Sequence, residues 1–189
     1  SFGDKETELI RNTIGSWNPN HSNGSAVLGS YPDDSKTGYQ EFKGPQVHQA
    51  AIRIGRRLFP QAHPDFDGLF VLNTILGGYF GSRLMMEIRE NQGLTYGIYS
   101  SVDSFAADGC FYISTETATD NTSKVIEAIQ QEMRKLQQEL IPVEELDMAR
   151  NYLMGHNMTQ IDGTFSTLDY IKSMKIEHLE DSSFAGMVE

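Results

Sequence analysis

The chain has 189 residues, of which 39% are hydrophobic and 22% charged, an ordinary composition for one globular domain with a sizeable core. Lysine and arginine total 15 against 26 acidic residues, and the net charge of −11 makes nucleic acids and anionic membranes poor partners, because both repel an acidic surface. The only cysteine, Cys110, excludes an internal disulfide and a cysteine-rich zinc site.

The first third of the chain is predicted to be a helix, an irregular connection and a strand. Residues 4–17 read as a short helix, and residues 18–46 are rich in Asn, Ser, Asp, Gly and Pro, which favours irregular structure. One edge strand is predicted near residues 39–42. Residues 46–55 then alternate in polarity, and this predicts a strand with the following side chains on one face: Ala50, Ile52 and Ile54.

The middle of the chain is predicted to contain two helices and a β-hairpin. Residues 64–78 form the first helix, with these side chains directed inward: Phe66, Leu69, Phe70, Leu72 and Leu76. The second helix follows, capped by Ser82 and ended by Gly93. The segments "LTYGIYSSVDSFA" and "GCFYISTETAT" are strand candidates, and the turn residues at 107–109 join them as a hairpin.

The C-terminal part is predicted to be helical. Residues 121–140 have apolar side chains at intervals of three and four: Val125, Ile129, Met133, Leu136 and Leu140. Pro142 opens the next helix, whose apolar stripe is Leu146, Ala149 and Leu153. A last amphipathic segment follows Gly163 and carries Phe165, Leu168 and Ile171.

This order separates the strands from most of the helices, and it predicts an α+β two-layer sandwich rather than a doubly wound sheet. There is no internal repeat, so residues 1–189 are predicted to be a single domain. The sequence does not determine the cellular compartment of the protein, and it favours the cytoplasm only weakly.

Several catalytic motifs are missing. The glycine-rich run "GGYFGSR" lacks the lysine of a phosphate-binding loop, and no G-x-S-x-G elbow exists for a serine nucleophile. The nearest approach to the zinc motif H-x-x-E-H is "MKIEH" (174–178), in which Met174 stands where the first histidine belongs. We therefore expect this chain alone to bind no metal and to have no peptidase activity.

Arg89 and Tyr96 are the candidate functional residues. Arg89 lies in the last turn of the second predicted helix and Tyr96 at the start of the next strand, so a tight turn brings both to one edge of the sandwich. Guanidinium and phenol groups are both donors, and together they can hold a carbonyl oxygen, a peptide backbone or a developing oxyanion. The alternative from the residues alone is an ion pair of Arg89 with Glu90 or Glu87 and a tyrosine that covers the core.

The stretch "LNTILGGYFGSRLMMEIRENQGLTYGIYSS" (72–101) resembles the signature of the pitrilysin, insulinase and mitochondrial-processing-peptidase family of zinc metallopeptidases. It is similar to the C-terminal half-domain of that family, which carries no zinc. Further segments agree in their order along the chain: "IGSW", Gln46, "HPDFDGLFVLNTIL" and "PVEELDMARNYLMG".

The resemblance implies a mixed or antiparallel sheet of about five to six strands with helices on one face. It also implies a zinc-bearing half elsewhere, in the parent chain or a partner subunit, and a homodimer or heterodimer of the parent. Arg89 and Tyr96 match the family pair that contacts the peptide substrate. The alternative is a non-catalytic subunit or structural scaffold of the same family, with zinc supplied by a separate partner chain or not at all.

The chain also departs from the family pattern. The first strand of such a half precedes "GD", and here Gly3 and Asp4 are almost the first residues. Further helical segments usually follow the final "SSFAGMVE". We therefore expect an excised half-domain with one sheet edge left unpaired, and such an edge invites self-association.

Overall fold

A computed structural model describes residues 38–42, 44, 48–105, 108–160 and 162–176. These residues belong to one unit of the chain, Ser35–Glu189. Three predicted features lie outside them: the helix over residues 4–17, most of the irregular connection, and the Glu177–His178 pair of the incomplete zinc motif.

The described sheet has three antiparallel strands: β1 (Gln49–Leu58), β2 (Thr95–Phe105) and β3 (Asp108–Ala118). Their order is β1–β3–β2, so β3 is central. Ile113 of β3 lies opposite Ile54 of β1 on one side and Ser100 of β2 on the other. The predicted strand and the predicted hairpin are therefore confirmed. The expected five to six strands are not confirmed in the part of the chain that the structure describes.

Five helices accompany the sheet: α1 (Phe66–Asn73), α2 (Met85–Asn91), α3 (Thr122–Gln138), α4 (Val143–Gln160) and α5 (Thr164–Ile176). The helix α1 continues as a wider π-helical turn, Thr74–Gly78, and α2 has the same wide form. At the junction, the Thr74 hydroxyl and the Thr74 backbone N–H both donate to the Phe70 carbonyl, the hydroxyl at 2.9 Å.

The core lies between one face of the sheet and the helices α2 and α3. Alternation along each strand places Ile52, Ile98 and Ile113 on this face, where they are buried. They pack against Leu84 and Ile88 around α2 and against three residues of α3: Val125, Ala128 and Ile129. The opposite face carries exposed residues such as Arg53 and Tyr99. The fold class is α+β, with these helices on one face.

One prediction made from apolar periodicity is wrong. Leu140 was expected to continue the apolar repeat of α3, but Glu139 takes an extended conformation that ends the helix, and Leu140 is 97% exposed. The last predicted segment forms the helix α5, whose apolar residues Phe165, Leu168 and Ile171 are exposed.

The predicted edge strand near residues 39–42 is also wrong. These residues take no regular structure. Tyr39 and Phe42 are both exposed, so no packing holds the segment against the sheet within the described part of the chain.

Candidate functional site

Arg89 lies near the end of α2, and the turn that follows it is closed by backbone hydrogen bonds. The Gly93 N–H donates to the Arg89 carbonyl at 3.1 Å, and the Leu94 N–H donates to the Ile88 carbonyl at 3.0 Å. Gly93 has a φ of 62°, in the left-handed region that glycine adopts without strain. Gly93 therefore ends the helix as predicted, and β2 begins two residues later.

The start of α2 differs from the prediction. Ser82 caps nothing, because its buried hydroxyl has no hydrogen-bond partner among the described residues. An ion pair holds this end instead: Arg83 Nε and Nη2 donate to the two carboxylate oxygens of Glu145 at 2.7 Å each. The hydrogen bond to Glu145 raises the pKa of Arg83 above its ordinary value. The segment that carries Arg89 is thus fixed against α4.

Tyr96 lies in a β-bulge at the start of β2. Thr95 is opposite Thr117 of β3, and Ile98 is opposite Thr115. Three steps along β2, from 95 to 98, therefore match two steps along β3, from 117 to 115. The extra residue falls at Tyr96 and Gly97. A bulge interrupts the ladder and redirects the side chain that it carries.

Threonine hydroxyls hold the bulge in place. Thr115 Oγ1 donates to the Gly97 carbonyl at 2.9 Å, and the Gly97 N–H donates to Thr95 Oγ1 at 3.2 Å. Thr117 Oγ1 donates to the Leu94 carbonyl at 2.5 Å. Thr115 and Thr117 are buried, so water competes little for these bonds. The irregularity is a well-bonded piece of structure.

The Tyr96 side chain projects into solvent. It is 94% exposed, and it makes no hydrogen bond or ring contact within the described residues. The alternative in which this tyrosine covers the core is therefore wrong. An aromatic side chain held this far from the core contributes little to folding, because it buries almost none of its apolar surface.

The Arg89 guanidinium is held by two neighbours. Its Nη1 donates to Glu90 Oε1 at 2.8 Å, and its Cζ lies 5.0 Å from the ring centroid of Phe80. The side chain retains 33% of its exposure. The ion pair with Glu90 is the one that the alternative interpretation predicts, but it lies at the surface and leaves other guanidinium donors able to reach a ligand.

The structure places Arg89 and Tyr96 on consecutive elements, joined by the short turn at 92–94. Their side chains share no hydrogen bond within the described part of the chain. β2 pairs with β3 along one side only in these residues, and its other side has no partner strand beside Tyr96. Further along β2, Asn73 Nδ2 donates to the Ser100 carbonyl at 3.4 Å, so only the start of this edge is open. The arrangement offers a cation, a phenol and a strand edge together.

The described residues do not fit a zinc ion. They contain no group of three histidine, cysteine, aspartate or glutamate side chains placed to hold a metal. A catalytic zinc needs three such ligands, so no catalytic step is assigned to a metal on these residues. No helix among them combines the length and hydrophobicity needed to cross a membrane.

Sequence reasoning missed Phe80 and the bulge. Phe80 is 61% exposed and follows the glycine-rich turn before α2. The only signal in the sequence is a large apolar residue between Tyr79 and Gly81, in a run otherwise suited to a turn. The bulge has no signal of its own, because it appears only when the register between β2 and β3 is known.

Comparison with protein families gives a match over most of the chain. The family model described as the peptidase M16 inactive domain matches residues 4–153. The uncharacterized zinc protease YmxG of Bacillus subtilis is 29% identical over 123 residues, which are 65% of this chain and 30% of that protein. The non-peptidase homolog YmxG of Helicobacter pylori is 33% identical over 90 residues, which are 45% of this chain and 20% of that protein.

A solved structure agrees with the fold. The crystal structure of a peptidase M16 inactive domain from Pseudomonas fluorescens superposes with a TM-score of 0.69 at 26% identity. The match covers 75% of this chain and 34% of that one. The chain spans about a third of the length of the curated relatives that it matches.

Proposed function

Because this chain belongs to the peptidase M16 family, as its C-terminal, inactive domain, we propose that it is the substrate-binding half of a zinc-dependent peptidase. The relative from Bacillus subtilis is named a zinc protease, and the described residues of this chain do not fit a zinc. We assign the zinc to another half-domain, on the same polypeptide or on a partner subunit. We use the term assembled peptidase for this chain together with that zinc-bearing half-domain.

One observation carries the proposal: a bonded bulge displays Tyr96 at 94% exposure, directly after the turn that ends the helix of Arg89. Packing within the described residues does not account for this position of the tyrosine. A peptide extended along the unpaired start of β2 would meet both side chains, with its main chain hydrogen-bonded to the strand there. Recognition through the main chain would depend little on peptide sequence.

In this arrangement Arg89 and Tyr96 act as donors. The guanidinium and the phenol donate to the carbonyl oxygen that gains charge during hydrolysis, or to the peptide backbone beside it. The turn after α2 and the bulge fix the backbone at both residues before the peptide arrives, so the ordering that remains on binding is that of the side chains.

The test is the kinetics of the assembled peptidase on a quenched fluorescent peptide. Arg89→Ala should lower kcat/KM about 100-fold, as the loss of one oxyanion donor does. Tyr96→Phe, which removes only the hydroxyl, should lower it roughly 10-fold. Matched controls are Arg134→Ala, an exposed arginine of α3, and Tyr99→Phe, three residues further along β2; both should leave kcat/KM unchanged. Wild-type kinetics for Arg89→Ala would refute the substrate-binding role.

A second candidate function is a non-catalytic subunit of the same family. The relative from Helicobacter pylori is named a non-peptidase homolog, and it supports this possibility. A scaffold has no use for the displayed tyrosine, so the same kinetic series separates the two functions. A scaffold predicts that Arg89→Ala and Tyr96→Phe leave the activity of any assembly unchanged.

A further inference from the structure

Phe80 lies in a tight turn before α2. The Ser82 N–H donates to the Tyr79 carbonyl at 3.1 Å, which closes a four-residue turn with Phe80 at its second position. Gly81 follows, and a Cβ there would come within 2.7 Å of the Tyr79 ring. The backbone of this turn is thus closely fixed, and Phe80 projects from it.

The Phe80 ring is directed to Arg89 rather than to the core. It is 61% exposed, although the buried core begins close by at Leu84. The Arg89 Cζ lies 5.0 Å from the centroid of the ring, and no other ring contact of Phe80 exists within the described part of the chain. A cation over the face of an aromatic ring is attracted by the negative potential of that face.

Glu90 draws the same guanidinium in another direction. Its carboxylate accepts from Arg89 Nη1 at 2.8 Å. An arginine side chain has many rotamers, and an acidic neighbour alone would let the guanidinium follow the carboxylate into solvent. The ring of Phe80 restricts this freedom, because it attracts the cation to a fixed point on a fixed turn.

We propose that Phe80 is a positioning residue for Arg89, and that its aromatic face keeps the guanidinium at the peptide-binding edge. The proposal rests on the proposed function, because it concerns how Arg89 meets a substrate carbonyl. It requires the π face of the ring and not only its apolar bulk. Leucine in place of Phe80 would fill similar space and lose the attraction, whereas tryptophan would retain it.

The experiment is a kinetic series on the assembled peptidase with a quenched fluorescent peptide. Phe80→Leu should lower kcat/KM about fivefold, and Phe80→Trp should keep it within about twofold of the wild type. In an Arg89→Ala background, Phe80→Leu should cause no further loss. Phe105→Leu is the matched control: Phe105 is 59% exposed and lies at the opposite end of β2, and its substitution should have no effect.

A spectroscopic readout on the assembled peptidase, isotope-labelled in this chain only, accompanies the kinetics. The Nε–H resonance of Arg89, identified by its disappearance in Arg89→Lys, should be shifted by the ring current of Phe80. Phe80→Leu should remove that shift, and Phe105→Leu should not. An Arg89 resonance with the same position in wild type and Phe80→Leu would overturn the proposal.

The series also separates this proposal from the function on which it rests. A loss in Arg89→Ala with wild-type kinetics in Phe80→Leu overturns the role of Phe80 and leaves the proposed function intact. The same holds if Phe80→Leu is equally harmful with and without Arg89, since it then acts by another route. Unchanged kinetics in Arg89→Ala overturn both.

Discussion

Arg89 and Tyr96 differ from their neighbours in what their side chains contribute to the fold. Ile88 precedes Arg89 and Ile98 lies two residues after Tyr96. Both isoleucines are buried and form part of the core. Arg89 has an exposed ion pair, and exposed pairs stabilise a fold by about 1 kcal/mol or less. Tyr96 buries almost nothing. Residues with so small a structural role are the ones through which a surface can act on a ligand.

The ion pair with Glu90 gives a prediction of its own. A substrate carbonyl must compete with the Glu90 carboxylate for Arg89, so Glu90→Gln should strengthen ground-state binding. We expect KM to fall about threefold to fivefold, which corresponds to the upper range of an exposed pair, with kcat little changed. Steady-state kinetics of the assembled peptidase measure this.

Glu87→Gln is the matched control for Glu90→Gln. The Glu87 carboxylate accepts from Asn91 and Gln92, and these bonds lower its pKa; it makes no bond to Arg89. Its substitution should leave KM unchanged. An equal fall of KM in both variants would show a general effect of surface charge and not a competition for Arg89.

At the scale of elements, the site depends on how α2 ends and β2 begins. Gly93 turns the chain, and the bulge then displaces Tyr96 from the regular ladder. The hydroxyl of Thr115 holds the bulge from the neighbouring strand. The site is therefore built by β3 as well as by the segment that carries the two side chains.

Thr115→Val tests this dependence. Valine matches threonine in shape but removes the bonds of the Thr115 hydroxyl to the Gly97 carbonyl and to Thr95 Oγ1, so we expect a loss of about 1 kcal/mol in the free energy of unfolding. The bulge should also relax and reduce the Tyr96 contribution to kcat/KM. Denaturant unfolding measures the loss of stability, and the kinetics of Thr115→Val with and without Tyr96→Phe measure the loss of the Tyr96 contribution to kcat/KM.

Thr74→Val provides the comparison for Thr115→Val. Thr74 is also buried, and its hydroxyl also donates to one carbonyl, that of Phe70, but it lies in the turn after α1. The Thr74→Val variant should lose a comparable free energy of unfolding, and its folded molecules should retain the wild-type kcat/KM. Equal losses of activity in the two variants would contradict a specific role for the bulge.

At the scale of the whole molecule, the sequence predicted the elements that an apolar period defines. The buried faces of β1 and of α3 up to Leu136 follow from the spacing of apolar residues alone, because each element is packed on one side. Leu140 was mispredicted, since spacing does not reveal where the helix ends. The pair Arg89 and Tyr96 came from the family signature, whereas the contact with Phe80 depends on turn geometry that no pattern encodes.

The central claim is that a peptide lies against Tyr96 in the assembled peptidase. The most direct measurement places the photoreactive residue p-benzoylphenylalanine at position 96, and in a second protein at position 99, and irradiates each with a biotinylated peptide after a chelator has stopped cleavage. We predict crosslinking to the peptide from position 96, several-fold above that from position 99. Equal crosslinking from both positions, or none from position 96 in an intact assembly, would contradict the claim.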